Sequence, residues 1–376
     1  MEKIRIMLTS GNSTVIKHAL LKIEEDNFTL IGIANINGQF SGHFKRLGEK
    51  SAESHRMLLV ALNYEVLMDR DIINRLDGFI LPGNDDTYNS VRNYSFLPFS
   101  WNDMQPGMTH ETEHLYQLIY SYAMDRKMPL LGTCAGNQHL ALHQYGKLAK
   151  LPRPFTGYID VTLVPATLNH YMAMNPSEQL KALNQCHLPE MTVQGTVMHS
   201  YAIEEPGEDV VVGGYTPGKR HPVIMAASMG GHISTFQFHP EYAYKEGTDG
   251  KDINSNIIDN FIHQVSAYHT MKSNGAAFYY HRDMQSLLRR LNDCQESRFK
   301  ADEKNEVWFS GRTSYKYTMP VSQRKLSVQL TPGVDLSDYS HSEDELEWVL
   351  INNKNGMSLT IDKSNPRQVI ELIRKW

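Results

Sequence analysis

Apolar positions in the first 270 residues follow two alternating rhythms, one of two residues and one of three to four. In the opening stretch MEKIRIMLTS, Ile4, Ile6 and Leu8 recur at two. That spacing predicts a strand ending at a Gly11-Asn12 turn. Ser13 then caps a helix whose face carries Val15, Ile16, Ala19, Leu20 and Ile23. FTLIGIANI, MLLVAL and DGFILPGNDD read as three further strands, the last broken by a Pro-Gly turn. From Glu111 to Lys127, the spacing of Leu115, Leu118, Ile119, Tyr122 and Ala123 predicts an amphipathic helix. It leads into the strand MPLLGT and then the helix-like AGNQHLALHQYG. Strands alternating with helices imply an α/β fold, a mostly parallel central sheet flanked by helices. Ligands of such sheets gather at the carboxyl ends of the strands.

Between Phe155 and Ile203 the rhythm loosens, and only short strands are expected, notably YIDVTLVP and TVMHSYAI. HISTFQFHPEY returns as a β-prone run, and Ile253, Ile257, Ile258, Phe261, Ile262 and Val265 mark a closing helix. The pattern breaks at MKSNGAA, which places a first domain at residues 1–268 and a small α+β C-terminal extension at 269–376. In the extension MQSLLRRLNDCQESRFK reads as a helix and LEWVLINNKNGMSLTID as a hairpin turning at Asn355-Gly356. Pro366 starts a last helix.

A chain of 376 residues exceeds what one core usually supports, in keeping with one large unit and one smaller. A formal charge of −5 without a dense basic stripe argues against a nucleic-acid partner. No apolar run approaches the ~18 to 20 residues of a membrane span, and the first residues lack the apolar centre of a secretory signal. The three cysteines, Cys134, Cys186 and Cys294, are scattered. Neither a disulfide framework nor a zinc motif is expected, and a cytoplasmic location fits best.

The stretch GTCAGNQ places Cys134 between Gly132 and Gly136, after an apolar run and before a helix. This is the form of a nucleophile elbow, a tight strand-to-helix corner that projects one side chain from the sheet. The helix start favours a thiolate and offers N–H donors to an oxyanion. A small buried apolar cysteine explains the heptapeptide equally well. A thiol needs a base, and with 17 histidines the choice must rest on geometry. In FQFHPEY, Pro240 biases His239 toward extended backbone, so Glu241 faces the same side and can orient the imidazole. A strand-end histidine beside a solvated glutamate is the bland alternative. HETEH, residues 110 to 114, spells a zinc-protease string but has no evident third ligand, so no metal or other cofactor is expected. His139 and His143, also four apart, read as structural.

PLLGTCAGNQHLAL, DGFILPGNDD and STFQFHPEY together resemble the class I glutamine amidotransferase-like family. Within it they are most similar to the hydrolase branch of peptidase C26, γ-glutamyl hydrolases and γ-glutamyl-γ-aminobutyrate hydrolases. The resemblance spans residues 4 to 267. It implies a flavodoxin-like sandwich, with Cys134 as nucleophile, His239 as base and later acid, and Glu241 as orienting carboxylate. It also implies an oxyanion hole from the backbone of Asn84 and Ala135, with Gly83, Gln138 and His199 lining the substrate. Asn84 stands where the family usually has a second glycine, and Ala135 where many hydrolases carry arginine. The implied activity is hydrolysis of γ-glutamyl amides through a γ-glutamyl thioester, with a small-molecule γ-glutamyl substrate. Two alternatives remain: a glutaminase subunit feeding ammonia to a partner synthase, and a catalytically weak binding or regulatory protein. The C-terminal extension is the candidate surface for a protein partner or for self-association.

Overall fold

The structure, a computed structural model, describes residues 2–23, 28–34, 44, 57–84, 110–185, 188–216, 222–243, 252–273 and 284–292, and five short strands between 306 and 362. The chain divides into two compact units, Met1–Pro217 with Ile224–Asn292, and Gly218–Val223 with Asp293–Trp376.

In the larger unit the elements run α1 (Glu2–Leu8), α2 (Ser13–Leu20), β1 (Thr29–Ala34), β2 (Met57–Leu62), α3 (Tyr64–Met68), α4 (Arg70–Ile73), β3 (Gly78–Leu81), α5 (His110–Arg126), β4 (Leu130–Thr133) and α6 (Ala135–His143). They continue as β5 (Lys147–Leu163), α7 (Leu168–Ala173), α8 (Pro176–Gln185), β6 (Met191–Glu205), β7 (Val211–Tyr215), β8 (Ile224–Met229), β9 (Ile233–Phe236), α9 (Pro240–Ala243) and α10 (Ile253–Ser273). A further helix, α11, covers 284–292.

Among the described residues one nine-stranded sheet runs β2-β1-β3-β4-β9-β8-β6-β5-β7. Its first five strands are parallel to one another. The others are antiparallel, and β7 also pairs with β8, so β5, β6, β7 and β8 close on themselves. The sheet is thus mixed. Its parallel half is read directly from the uninterrupted apolar runs of β1 to β4, all buried, as strands covered on both faces require. Helices supply that cover. A Cβ on Gly78 would meet Val265 of α10, whereas one on Gly132 would approach the Tyr120 hydroxyl of α5. Pairing of Leu81 with Gly132 sets these two glycines on opposite faces.

The N-terminal strand expected at Ile4, Ile6 and Leu8 is instead the helix α1. Leu8 is fully buried while Ile6 is 65% exposed, so the apolar spacing that counts is four residues, Ile4 to Leu8, and not two. Asn12, rather than Ser13, caps α2 by accepting the Val15 N–H at 3.0 Å. Ile16, Ala19 and Leu20 turn inward as the spacing implies, but Val15 lies at 37% exposure.

The loosely patterned middle holds more β structure than its sequence announces. β5 and β6 form a long antiparallel pair of 17 and 15 residues, with α7 and α8 between them. Pairing is broken between Lys150 and Phe155, whose partners Tyr201 and His199 are only two apart, so residues 151–154 bulge opposite Ser200. The closing helix α10 continues to Ser273. In the smaller unit β10 (Glu306–Phe309) pairs with β11 (Tyr315–Thr318). There β12 (Tyr339–Glu343), β13 (Glu347–Asn352) and β14 (Ser358–Asp362) form an antiparallel sheet containing the expected hairpin. The Asn355-Gly356 turn and the helix expected after Pro366 lie outside the described residues. No helix among the described residues is long and apolar enough to cross a membrane.

Candidate active site

Three neighbouring parallel strands, β3, β4 and β9, end side by side. Beyond their carboxyl ends lie Pro82-Gly83-Asn84, Cys134, and Gln237-Phe238-His239. Cys134 is the corner between β4 and α6, with φ 49° and ψ −102°, a conformation that costs a non-glycine residue about 1–3 kcal/mol. Surrounding bonds hold it there. The Cys134 N–H donates to the Phe236 carbonyl at 2.8 Å and its carbonyl accepts from the Gln138 N–H at 3.2 Å. The Tyr120 hydroxyl donates to the Gly136 carbonyl at 2.6 Å. Both flanking glycines are needed for space. A Cβ on Gly136 would lie 2.5 Å from the Leu81 carbonyl oxygen, and one on Gly132 would lie 2.8 Å from Thr235 Cγ2. No side chain caps α6, so its first N–H groups, that of Ala135 among them, open toward the cysteine end.

His239 and Glu241 share this corner. The His239 N–H donates to the Thr196 carbonyl at 2.9 Å. Its Nδ1 donates to Glu241 Oε1 at 2.7 Å, which leaves Nε2 on the side where His239 and Cys134 both border Gly83. Tyr242 stacks on the imidazole, centroids 4.4 Å apart. Thr133 Oγ1 donates to the same Glu241 oxygen at 3.3 Å. Cys134, His239 and Glu241 are 4%, 5% and 4% exposed. Burial alone would push His239 down. The Glu241 carboxylate and the neighbouring Cys134 outweigh it and raise the imidazole to about 11.

Gly83 lies against both reacting groups. A Cβ there would stand 2.5 Å from His239 Cε1 and 3.1 Å from Cys134 Cβ. The strand end that carries it is pinned by the Tyr116 hydroxyl, which donates to the Pro82 carbonyl at 2.6 Å. Asn84 follows, its Nδ2 enclosed and without a hydrogen-bond partner among the described residues. His199 is buried on β6, its Nδ1 donating to the Tyr201 carbonyl at 2.8 Å and its ring edge-on to Phe155. It adjoins Met198, whose carbonyl is 3.8 Å from the Cys134 sulfur. Gln138 Nε2 donates to the Tyr201 carbonyl at 2.8 Å and to Gln237 Oε1 at 3.3 Å.

Sequence reasoning passed over Gln237, Thr133 and Tyr242, each of which touches a member of the Cys-His-Glu set. Gln237 Nε2 donates to the Cys134 sulfur at 3.7 Å. The only sequence signal was its place two residues before His239, on the same side of an extended segment. His139 is fully buried, edge-on to Tyr116 and bonded to the Gln117 amide at 3.2 Å, and burial lowers it to about 3. His143 bonds Ser121 and Gln144 and is likewise lowered by burial. The first four side chains of HETEH lie outside the described residues, and His114 packs on Tyr64 at 5.5 Å. Among the described residues no group of three or more His, Cys, Asp or Glu side chains converges as a metal site.

The peptidase C26 family profile matches residues 21–241, more than half of the chain, with Cys134, His239 and Glu241 inside it. No curated protein matches significantly. Solved structures resemble the chain at low identity. A Thermoplasma acidophilum protein provisionally assigned as one component of GMP synthase is 19% identical, at TM-score 0.42, over 65% of this chain and 98% of that one. The glutaminase domain of Trypanosoma brucei CTPS with bound acivicin is 12% identical, at 0.40, over 64% and 94%. A Thermotoga maritima glutamine amidotransferase is 13% identical, at 0.39, over 72% and 97%.

Proposed function

Because this chain belongs to the peptidase C26 family, a hydrolase family with the class I glutamine amidotransferase-like fold, we propose that it hydrolyses γ-glutamyl amide bonds with Cys134 as nucleophile. The observation that carries the reading is the 2.7 Å bond from His239 Nδ1 to Glu241 Oε1, with His239 and Cys134 both bordering Gly83 at the ends of adjacent parallel strands. Its electrostatics suit the chemistry. Cys134 attacks the γ-carbonyl carbon as the thiolate, its proton resting on His239, which the Glu241 carboxylate makes more basic. The oxyanion draws on the backbone N–H groups of Ala135 and Asn84, each worth about 3 to 4 kcal/mol if well aimed. His239 then gives its Nε2 proton to the departing amine. Neutral for that moment, it takes a proton from water, whose oxygen attacks the γ-glutamyl thioester. Glutamate leaves and the thiolate is restored. Glu241 keeps Nδ1 as the donor throughout, so the catalytic proton always travels through Nε2.

A panel of γ-glutamyl amides, glutamine included, tests the reading when wild type and Cys134→Ala are compared. Turnover should vanish in the variant with its unfolding midpoint close to wild type, and trapped wild type should gain the mass of a γ-glutamyl group on Cys134. Full turnover in Cys134→Ala, or a panel on which the wild type releases no amine, refutes it. Glutamine hydrolysis appearing only with a partner protein would favour the ammonia-delivering alternative.

A further inference from the structure

We infer that Gln237 is a fourth member of the site, an N–H donor that faces the Cys134 sulfur and is locked in that orientation by Gln138; this rests on Cys134 being the nucleophile. Amide oxygen and nitrogen are told apart only by their partners, and here the partners leave one assignment. The anchor is the Tyr201 carbonyl, which can only accept. Gln138 Nε2 lies 2.8 Å from it, so the Gln138 NH₂ group points that way. The same nitrogen lies 3.3 Å from the Gln237 amide, whose facing atom must therefore be Oε1. Asn137 Nδ2, at 3.5 Å, meets that oxygen as well. With its oxygen turned to Gln138 and Asn137, Gln237 has its NH₂ group toward Cys134, 3.7 Å from the sulfur.

The rest of the residue is held equally firmly. Gln237 is fully buried, and its backbone N–H donates to the Met225 carbonyl at 2.8 Å. Reversing the amide would set its NH₂ against two other NH₂ groups and lose both bonds that its oxygen accepts. A buried N–H donor at a sulfur favours the anion over the neutral thiol, since the bond strengthens with charge on the acceptor. It opposes the Met198 carbonyl, which sits 3.8 Å from the same sulfur and favours the protonated form. His239 supplies the proton relay. Gln237 supplies a donor that carries no net charge and cannot leave with the proton, so it remains in place when His239 is neutral and the thioester must release sulfur as thiolate.

Alkylation of Cys134 by iodoacetamide tests this without any substrate, on the full-length protein, followed across pH by intact mass. Gln237→Met keeps length and burial but removes the donor. Its alkylation profile should move to higher pH, with the rate at pH 7 about tenfold below wild type. Gln138→Leu leaves Gln237 present but unlocked and should shift the profile in the same direction by less, so the test stands if either variant folds by circular dichroism. Wild-type rate and profile in a folded variant would overturn the inference while leaving γ-glutamyl hydrolysis intact. A wild type inert toward the reagent would overturn both.

Discussion

Gly83 shows how little room one reacting residue leaves another. No positive φ constrains it, so alanine is acceptable to the backbone; the obstacle is the His239 ring, 2.5 Å from the added carbon. That ring cannot retreat, with Tyr242 stacked on one face and Glu241 bonded to Nδ1. Gly83→Ala must therefore tilt the imidazole away from Cys134. A displacement of this kind costs about a hundredfold in turnover, whereas overpacking costs about 1–3 kcal/mol in stability. The expected outcome is kcat/KM on a γ-glutamyl amide reduced about a hundredfold in a protein that still unfolds cooperatively. Unchanged kcat/KM would mean that His239 does not need its present position.

At the scale of elements, α5 fixes both loops of the site with two buried phenols, Tyr116 on the Pro82 carbonyl and Tyr120 on the Gly136 carbonyl. Tyr120→Phe removes one clamp from a corner already strained at Cys134. It should cost about 1–2 kcal/mol of stability by urea unfolding, and kcat should fall more than KM changes, because the corner and not a binding surface is loosened. Equal kcat in wild type and variant would show that the corner holds itself. The elements that form this site were legible in the sequence to different degrees, for physical reasons. β1 to β4 are short and buried on both faces, so their composition alone reveals them. The elbow and the His-Pro-Glu run are local, each defined within a few residues. α1 is ambiguous in the sequence because Ile4 and Leu8, four apart, suit both periods, and the burial of Leu8 with the exposure of Ile6 decides for the helix. β5 reads as short because the 151–154 bulge interrupts its alternation. Gln237 escaped notice because its orientation is set by residues 99 and 100 positions away.

For the molecule as a whole, buried histidines outside the site contribute to the response to acid. His139 and His170 are both fully buried, and burial lowers them from 6.5 to about 3 and about 4. His170 Nε2 bonds the Pro189 carbonyl at 2.8 Å, so the neutral ring donates there. Below pH 6.5 the unfolded chain takes up protons that the folded chain refuses. Stability then rises with pH across the window from about 4 to 6.5, by about 1.4 kcal/mol per pH unit for each histidine. His143, lowered by the same cause, acts in the same sense. His239 acts oppositely: raised to about 11, it stabilises fully below 6.5 and loses that contribution as pH climbs toward 11, so it adds no slope on the acid side. His170→Gln keeps a donor for Pro189 and removes the titration. Between pH 7 and pH 5 the wild type should lose about 2 kcal/mol more than this variant, measured as unfolding free energy in urea. Equal losses in the two proteins would mean that His170 is protonated in the folded state well above pH 5, and its burial would then have to be relieved by a local opening around α7.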